Sequence, residues 1–125
     1  MHILLSFFDD KHVLIDEFKY EIIKNSQGVI ISNDELLYNI IDPKYTNIIW
    51  MNIIKKRLCQ LNSRKELCEA IIIAVNVYDD NNVSVLFETT HTTYHDCIDK
   101  YEFPCMKQIF DILSVACSIN VFFSR

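Results

Sequence analysis

The sequence predicts an α+β fold, with a single mixed, largely antiparallel sheet of about five strands around a central hairpin and helices packed on the sheet. Residues 70–78 are apolar on both faces, which is typical of a strand covered on both sides. Residues 83–90 alternate between apolar and polar side chains, and the Asp and Asn residues at 79–82 favour a turn between the two strands. Strand-like and helix-like patterns interleave along the rest of the chain, which favours one mixed sheet.

The first third of the chain predicts strand, helix and strand. Ile3–Phe8 is a short apolar run and predicts a strand. In Val13–Asn25 apolar residues recur at helical spacing with charged residues between them, which predicts a helix; a pair of strands is the alternative. Gly28 is placed to end that helix in a left-handed conformation, and Val29–Ile31 predicts a short strand.

Two helices are predicted before the hairpin. Ser32 or Asn33 is placed to cap a short helix that ends before Pro43, because the residue before proline is restricted to extended conformations. Thr46–Asn62 carries apolar residues at helical spacing and predicts a long helix. Within it, the basic triplet 55–57 is interpreted as a solvated helix end.

The C-terminal part predicts a polar segment, a helix and a strand. Residues 91–100 are polar and rich in Thr, whereas Pro104 suits the first turn of a helix. The apolar stripe from Met106 to Cys117 continues that helix, and Ile119–Phe123 predicts a final strand. No internal repeat or linker is evident, so residues 1–125 are interpreted as a single domain.

The composition limits the classes of function. Half of the residues are hydrophobic, so a substantial core is available, and the net charge is −5. A net negative charge disfavours nucleic-acid binding and favours a basic partner. With Gly28 as the single glycine, a phosphate-binding loop or dinucleotide fingerprint is excluded, and no cofactor is expected. The longest apolar runs are too short to span a membrane.

The five cysteines indicate free thiols in a reducing compartment. Their number is odd, their spacing is irregular, and the first residues do not form a signal peptide, so a cytoplasmic protein is expected.

Residues 91–97 contain the one cluster with ligand-like side chains. On a helix, His91 and His95 lie one turn apart, a geometry in which two imidazoles reach one metal, and Asp96 or Cys97 adds a ligand. However, Thr92 stands where a zinc protease carries its catalytic Glu. A polar loop or a short solvated helix that leaves the hairpin is therefore the favoured interpretation, and no metal site or catalytic residue is assigned.

Acidic residues occur in pairs at positions 9–10, 16–17, 34–35 and 79–80. Each pair lies at a predicted turn or helix start, where capping and solvation explain it. Taken together, the pairs offer a negative face for docking onto a basic partner. We expect the docking residues to be Asp79, Asp80 and Glu88 first, and Asp9 and Asp10 second.

The stretch IIWMNIIKKRLCQLNSRKE is a helix-like segment with an aromatic residue, and it leads into the strands AIIIAVNVY and VSVLFETT. In this order of elements, and in its size and acidity, the chain resembles the immunity proteins of bacterial contact-dependent growth inhibition systems. The resemblance implies a small cytoplasmic protein that neutralises a cognate toxin domain, such as a nuclease, by stoichiometric binding, without catalysis.

Two other functions stay open at this point. The composition also suits a protein of an AT-rich DNA virus that binds a host factor. A small enzyme that uses His91, His95 and Cys97 is the third hypothesis. Homo-oligomerisation through an exposed strand edge also stays open, and no feature of the sequence indicates it.

Overall fold

The computed structural model describes residues 1–63, 70–93 and 106–118. Within these ranges the chain forms six strands, two α-helices and one turn of 3-10 helix at Pro43–Tyr45, and the predicted α+β fold is confirmed. The strands are β1 (His2–Asp9), β2 (Leu14–Asn25), β3 (Gly28–Ser32), β4 (Leu37–Ile40), β5 (Ala70–Tyr78) and β6 (Ser84–Thr93). The helices are α1 (Thr46–Ser63) and α2 (Lys107–Ala116).

The strands form one sheet in the order β4-β3-β2-β1-β5-β6, and each neighbouring pair is antiparallel. The predicted hairpin is present as β5 and β6, but β6 is an edge strand, so the hairpin lies at one end of the sheet instead of at its centre; the two middle strands are β2 and β1. In the described part of the chain the sheet therefore has six strands instead of about five, and it is antiparallel throughout.

Both helices cover the same face of the sheet. Alternate residues of β1 and β5 point to this face and are fully or almost fully buried, as the two-residue period of a strand requires. They belong to one core with the apolar stripe of α1 and with α2, which packs against α1, β5 and β6. The central members of this core are Leu5, Phe7, Ile73, Val75, Trp50, Ile53, Leu58, Ile109 and Leu113.

The hairpins β1–β2 and β5–β6 have turns of the same type. In the first, the Asp9 carboxylate accepts hydrogen bonds from the amides of Lys11 and Val13, each at 2.9 Å. In the second, the Asp79 carboxylate accepts them from the amides of Asn81 and Val83, at 2.9 and 3.0 Å. The fourth residue of each turn is left-handed, with φ of 65° at His12 and 61° at Asn82. Aspartate favours such turns because its side chain bonds the main chain that follows it.

The two hairpins have the same bulge position and the same burial pattern in their second strands. They are 70 positions apart in sequence, and each has a bulge at the equivalent place, before Phe8 and before Tyr78. Leu5 and Val75 are equivalent positions, and they also lie opposite each other where β1 pairs with β5. This similarity between the hairpins is not evident as a repeat in the sequence, because the turn and the burial pattern are preserved while few side chains are shared.

Two predicted helices are wrong. Val13–Asn25 contains the whole of β2, because its residues pair first with β1 and then with β3, and a local pattern does not reveal such long-range pairing. The segment after Ser32 forms a turn and β4. By contrast, Ile3–Phe8, Val29–Ile31, Thr46–Asn62 and the helix after Pro104 have the predicted type. The predicted strand Ile119–Phe123 lies outside the described residues.

Candidate partner-binding site

Arg57 lies at the centre of the polar network in the described residues, and only 1% of its side chain is exposed. Its Nε donates a hydrogen bond to the hydroxyl of Tyr20 at 2.7 Å. One terminal nitrogen donates to Glu35 at 2.7 Å and to Gln60 at 3.0 Å, and the other donates to Asn33 at 2.9 Å. Arginine suits this position because its planar group presents several donors in a fixed geometry.

Aromatic rings hold the guanidinium group of Arg57 from the side of the sheet. Its central carbon lies 4.2 Å from the ring centre of Phe18 and 5.6 Å from that of Tyr20. The Tyr20 ring in turn meets Trp50 of α1 edge to face, with the ring centres 5.5 Å apart. Such contacts add cation–π attraction to the hydrogen bonds, so Arg57 is fixed between α1 and β2.

A tight turn brings two carboxylates next to Arg57. The amide of Asn33 donates to the Leu36 carbonyl, and the amide of Leu36 donates back to the Asn33 carbonyl. The side chain of Asn33 donates to the Lys19 carbonyl at 2.6 Å and accepts from the amide of Glu35 at 3.2 Å. This local bonding replaces the predicted helix cap and fixes Asp34 and Glu35 beside β2.

These elements enclose a surface cleft of about 520 Å³. We call it the acidic cleft, and it is lined by Glu17, Phe18, Lys19, Glu21, Ser32, Asn33, Asp34, Glu35 and Arg57. Its four carboxylates face two cations. Lys19 pairs with Glu21 at 3.2 Å and Arg57 pairs with Glu35, so within the described part of the chain Glu17 and Asp34 have no ion pair. The cleft therefore keeps a net negative charge.

Burial and pairing set the protonation states of the network. Hydrogen bonding to Arg57, together with its charge, lowers the pKa of Glu35. The pKa of Arg57 is raised: burial acts to lower it, but the hydrogen bonds and charges of Tyr20 and Glu35 outweigh that effect. Burial raises the pKa of Tyr20 despite the hydrogen bond from Arg57. At neutral pH the network therefore contains a cation, a neutral phenol and a carboxylate.

Acidification is expected to weaken the fold through Glu35. Because the folded state lowers the pKa of Glu35 below its ordinary value of 4.5, its stabilising contribution is complete above pH 4.5 and is lost as the pH falls through the folded pKa. Urea unfolding measured from pH 6 to pH 2.5 should show a decline in the free energy of unfolding that is shallower in Glu35→Gln. Identical slopes for the two proteins would contradict the role given to this ion pair.

Four of the five residues predicted for docking lie in the turns of the two hairpins, and Glu88 lies in the middle of β6, opposite Val75. Asp79 is 7% exposed and its carboxylate bonds the turn, as Asp9 does in the other hairpin. Asp80 is exposed and pairs with the N-terminal ammonium group, which lowers its pKa. Asp10 is exposed, and half-buried Glu88 accepts a hydrogen bond from the amide of Thr89. None of these five residues lines the acidic cleft.

The histidine cluster is only partly described. His91 lies exposed on β6, with its ring centre 6.3 Å from that of His12, whereas His95, Asp96 and Cys97 lie outside the described residues. Among the residues that the structure describes, no group of three or more His, Cys, Asp or Glu side chains is placed to hold a metal ion.

Two of the five cysteines are described, and both are free thiols as predicted. Cys59 is exposed, whereas Cys117 is buried and accepts a hydrogen bond from the indole nitrogen of Trp50 at 3.4 Å. Burial raises the pKa of Cys117 to about 11, so this thiol is protonated at neutral pH and is a poor nucleophile.

A second, more apolar groove of about 320 Å³ lies on the sheet face opposite the described helices. Ile72 and Ala74 form its floor and are buried although they do not belong to the main core. Glu17 borders both this groove and the acidic cleft, so the two depressions meet at one carboxylate.

The sequence does not predict the acidic cleft, because none of the five expected docking residues lines it. Capping and solvation are the favoured explanation of the pairs 16–17 and 34–35, and a negative face is the alternative; three of these four residues line the cleft. The prediction that Arg57 belongs to a solvated helix end is wrong, because the structure buries its side chain. The available signal was its position three and four residues after Ile54 and Ile53, which places it on the buried face of α1.

Comparisons of the chain with protein-family models, with curated proteins and with solved structures found no match. In the described ranges, none of the helices has the length and apolar character that crossing a membrane requires.

Proposed function

We propose that this chain is an immunity or inhibitor protein that binds a cognate basic toxin domain and neutralises it by stoichiometric association in the cytoplasm. It acts without catalysis, cofactor or metal. The acidic cleft is the main docking surface, and the hairpin turns at Asp9–Asp10 and Asp79–Asp80 are secondary. The single observation that supports this proposal most is the acidic cleft held in place by buried Arg57.

The charge of the cleft suits a basic partner. Glu17 and Asp34 are exposed carboxylates without an ion pair in the described structure, so a cationic side chain of a partner gains attraction without displacing an existing cation. Opposite charge on two proteins increases the rate of encounter and excludes partners of the wrong sign. A nuclease domain, which carries basic residues to bind phosphates, is one such partner.

The rigidity of the cleft also supports binding. Asp34 and Glu35 lie on a turn closed by main-chain bonds and by Asn33, and Arg57 joins that turn to α1 and β2. A surface that is already ordered loses little conformational entropy when it binds, so more of the contact energy contributes to affinity.

The test is co-expression with the product of the adjacent reading frame. We expect the two proteins to copurify in a one-to-one complex, and growth inhibition by the partner to disappear when this chain is present. Raising the salt concentration should weaken the complex, because the attraction is electrostatic. If the adjacent product is not toxic, or is not retained by this chain at low salt, the proposal fails.

A further inference from the structure

One edge of β2 is only half covered by its neighbour. β2 has 12 residues and pairs with β1 from Leu14 to Glu21. On its other side β3 pairs only from Glu21 to Asn25. In the described structure, no strand therefore covers the outer edge of β2 from Leu14 to Lys19. This uncovered stretch is called the open edge, and it forms one side of the acidic cleft.

Backbone groups of the open edge are bonded by side chains where a strand would otherwise bond them. The Lys19 carbonyl accepts from the side chain of Asn33 at 2.6 Å, so it points away from β1. In an antiparallel strand the amide and carbonyl groups of every second residue point to the same side, so those of Glu17 also point away from β1. The amide of Glu17 donates to the carboxylate of the preceding Asp16 at 2.8 Å.

The charges beside the open edge favour a cationic segment. Glu17 and Glu21 lie on one face of β2, and Asp34 and Glu35 follow where β3 ends. An extended segment placed along the open edge continues the line of β3 and passes these carboxylates. Strand addition of this kind draws its affinity from main-chain hydrogen bonds and its specificity from alternate side chains.

We infer that the partner inserts an extended, lysine- or arginine-rich segment that pairs with the open edge of β2. Its main chain bonds the outward groups of Glu17 and Lys19, replacing the bonds now made by Asp16 and Asn33. Its cationic side chains reach Glu17 and Asp34. This inference rests on the proposed function, because it specifies how the acidic cleft holds a basic partner.

The probe is a capped octapeptide of alternating Lys and Thr, compared with one of alternating Lys and Pro. The two peptides carry the same charge, but proline lacks an amide donor and favours the polyproline II conformation. Titration calorimetry at low salt should show at least about tenfold tighter binding of the Lys-Thr peptide, the effect of losing one or two hydrogen bonds. Amide exchange should slow at Glu17 and Lys19 on binding.

Two variants at one position separate charge from strand pairing. Glu17→Gln removes the carboxylate and keeps the amide, whereas Glu17→Pro removes both. Proline is tolerated where a strand amide does not bond its neighbour, and the thermal melting of each variant shows whether it is folded. The Lys-Thr peptide should bind Glu17→Pro several-fold more weakly than Glu17→Gln.

Equal binding of the two peptides to the natural protein overturns the inference, and so does the absence of binding by either. That comparison does not depend on the folding of any variant. If the product of the adjacent reading frame still copurifies in that case, the proposed function stands and only the pairing mode is wrong. If that product also fails to associate, both proposals are rejected.

Discussion

Arg57→Ala is expected to lower the free energy of unfolding by about 3 to 5 kcal/mol, the usual range for breaking a buried charged network or emptying a large buried site. The substitution leaves the Tyr20 hydroxyl without its donor and opens a cavity against the Phe18 ring. It also releases Glu35 from its ion pair. Urea denaturation followed by fluorescence of Trp50 measures the change, because this indole packs on Tyr20.

Lys56→Ala is the matched control, because Lys56 is the neighbouring cation on α1 and is exposed. Its effect should stay within about 0.5 kcal/mol, as is usual for surface substitutions. The destabilisation by Arg57→Lys should fall between those of the two alanine variants. A lysine keeps the charge, but its ammonium group lacks the planar arrangement of donors that arginine directs to several acceptors. A loss at Arg57→Ala no larger than that of Lys56→Ala would show that Arg57 does not organise the cleft.

Gly28→Ala is expected to destabilise the protein by about 3 kcal/mol, the upper range for a strained backbone position. Gly28 begins β3 with φ of 141°, a conformation that residues with a side chain rarely adopt. A Cβ added there would lie 2.3 Å from the carbonyl oxygen of Ile40, so β4 has to move away. Hydrogen exchange should therefore accelerate in β4 before it does in β1.

Ser26→Ala serves as the control for Gly28, because Ser26 is exposed in the turn between β2 and β3. We expect its unfolding midpoint to stay close to that of the natural protein. If Gly28→Ala unfolds at the same urea concentration as Ser26→Ala, the close approach of β3 to Ile40 does not constrain this position.

The β5–β6 hairpin and α1 are predictable as elements because their patterns are local and unambiguous, although the position of the hairpin at one end of the sheet is not. Ala70–Tyr78 is apolar at nearly every position and forms β5 with the predicted bounds. Thr46–Asn62 combines helical spacing with a preceding proline, and α1 ends one residue later, at Ser63. In both stretches the local preference and the long-range packing require the same structure.

The segment that forms β2 was predicted as a helix because its pattern fits two periods. Leu14, Phe18 and Ile22 are four residues apart, which is a helical spacing, but Phe18, Tyr20 and Ile22 also alternate with charged residues as in a strand. Pairing with β1 decides the outcome, and the sequence of β2 alone does not contain that information.

The acidic cleft could not be assembled from the sequence for the same reason. Its carboxylates come from β2 and from the turn before β4, two elements predicted as helices, and its arginine comes from α1. Asn33 has the helix-capping chemistry that was recognised, but its side chain closes a short turn and bonds Lys19. Residue type was therefore informative here, and the geometry depended on long-range contacts.

The most direct test of the central claim compares charge reversal at the cleft with charge reversal at the hairpin turns. Glu17→Lys with Asp34→Lys alters the acidic cleft, and Asp10→Lys with Asp80→Lys makes the same change of charge at the turns. Stopped-flow association with the purified product of the adjacent reading frame measures both. We expect the cleft pair to slow association by about tenfold or more and to flatten its salt dependence, with a much smaller effect from the turn pair. An equal or larger effect from the turn pair would contradict the assignment of the acidic cleft as the main docking surface.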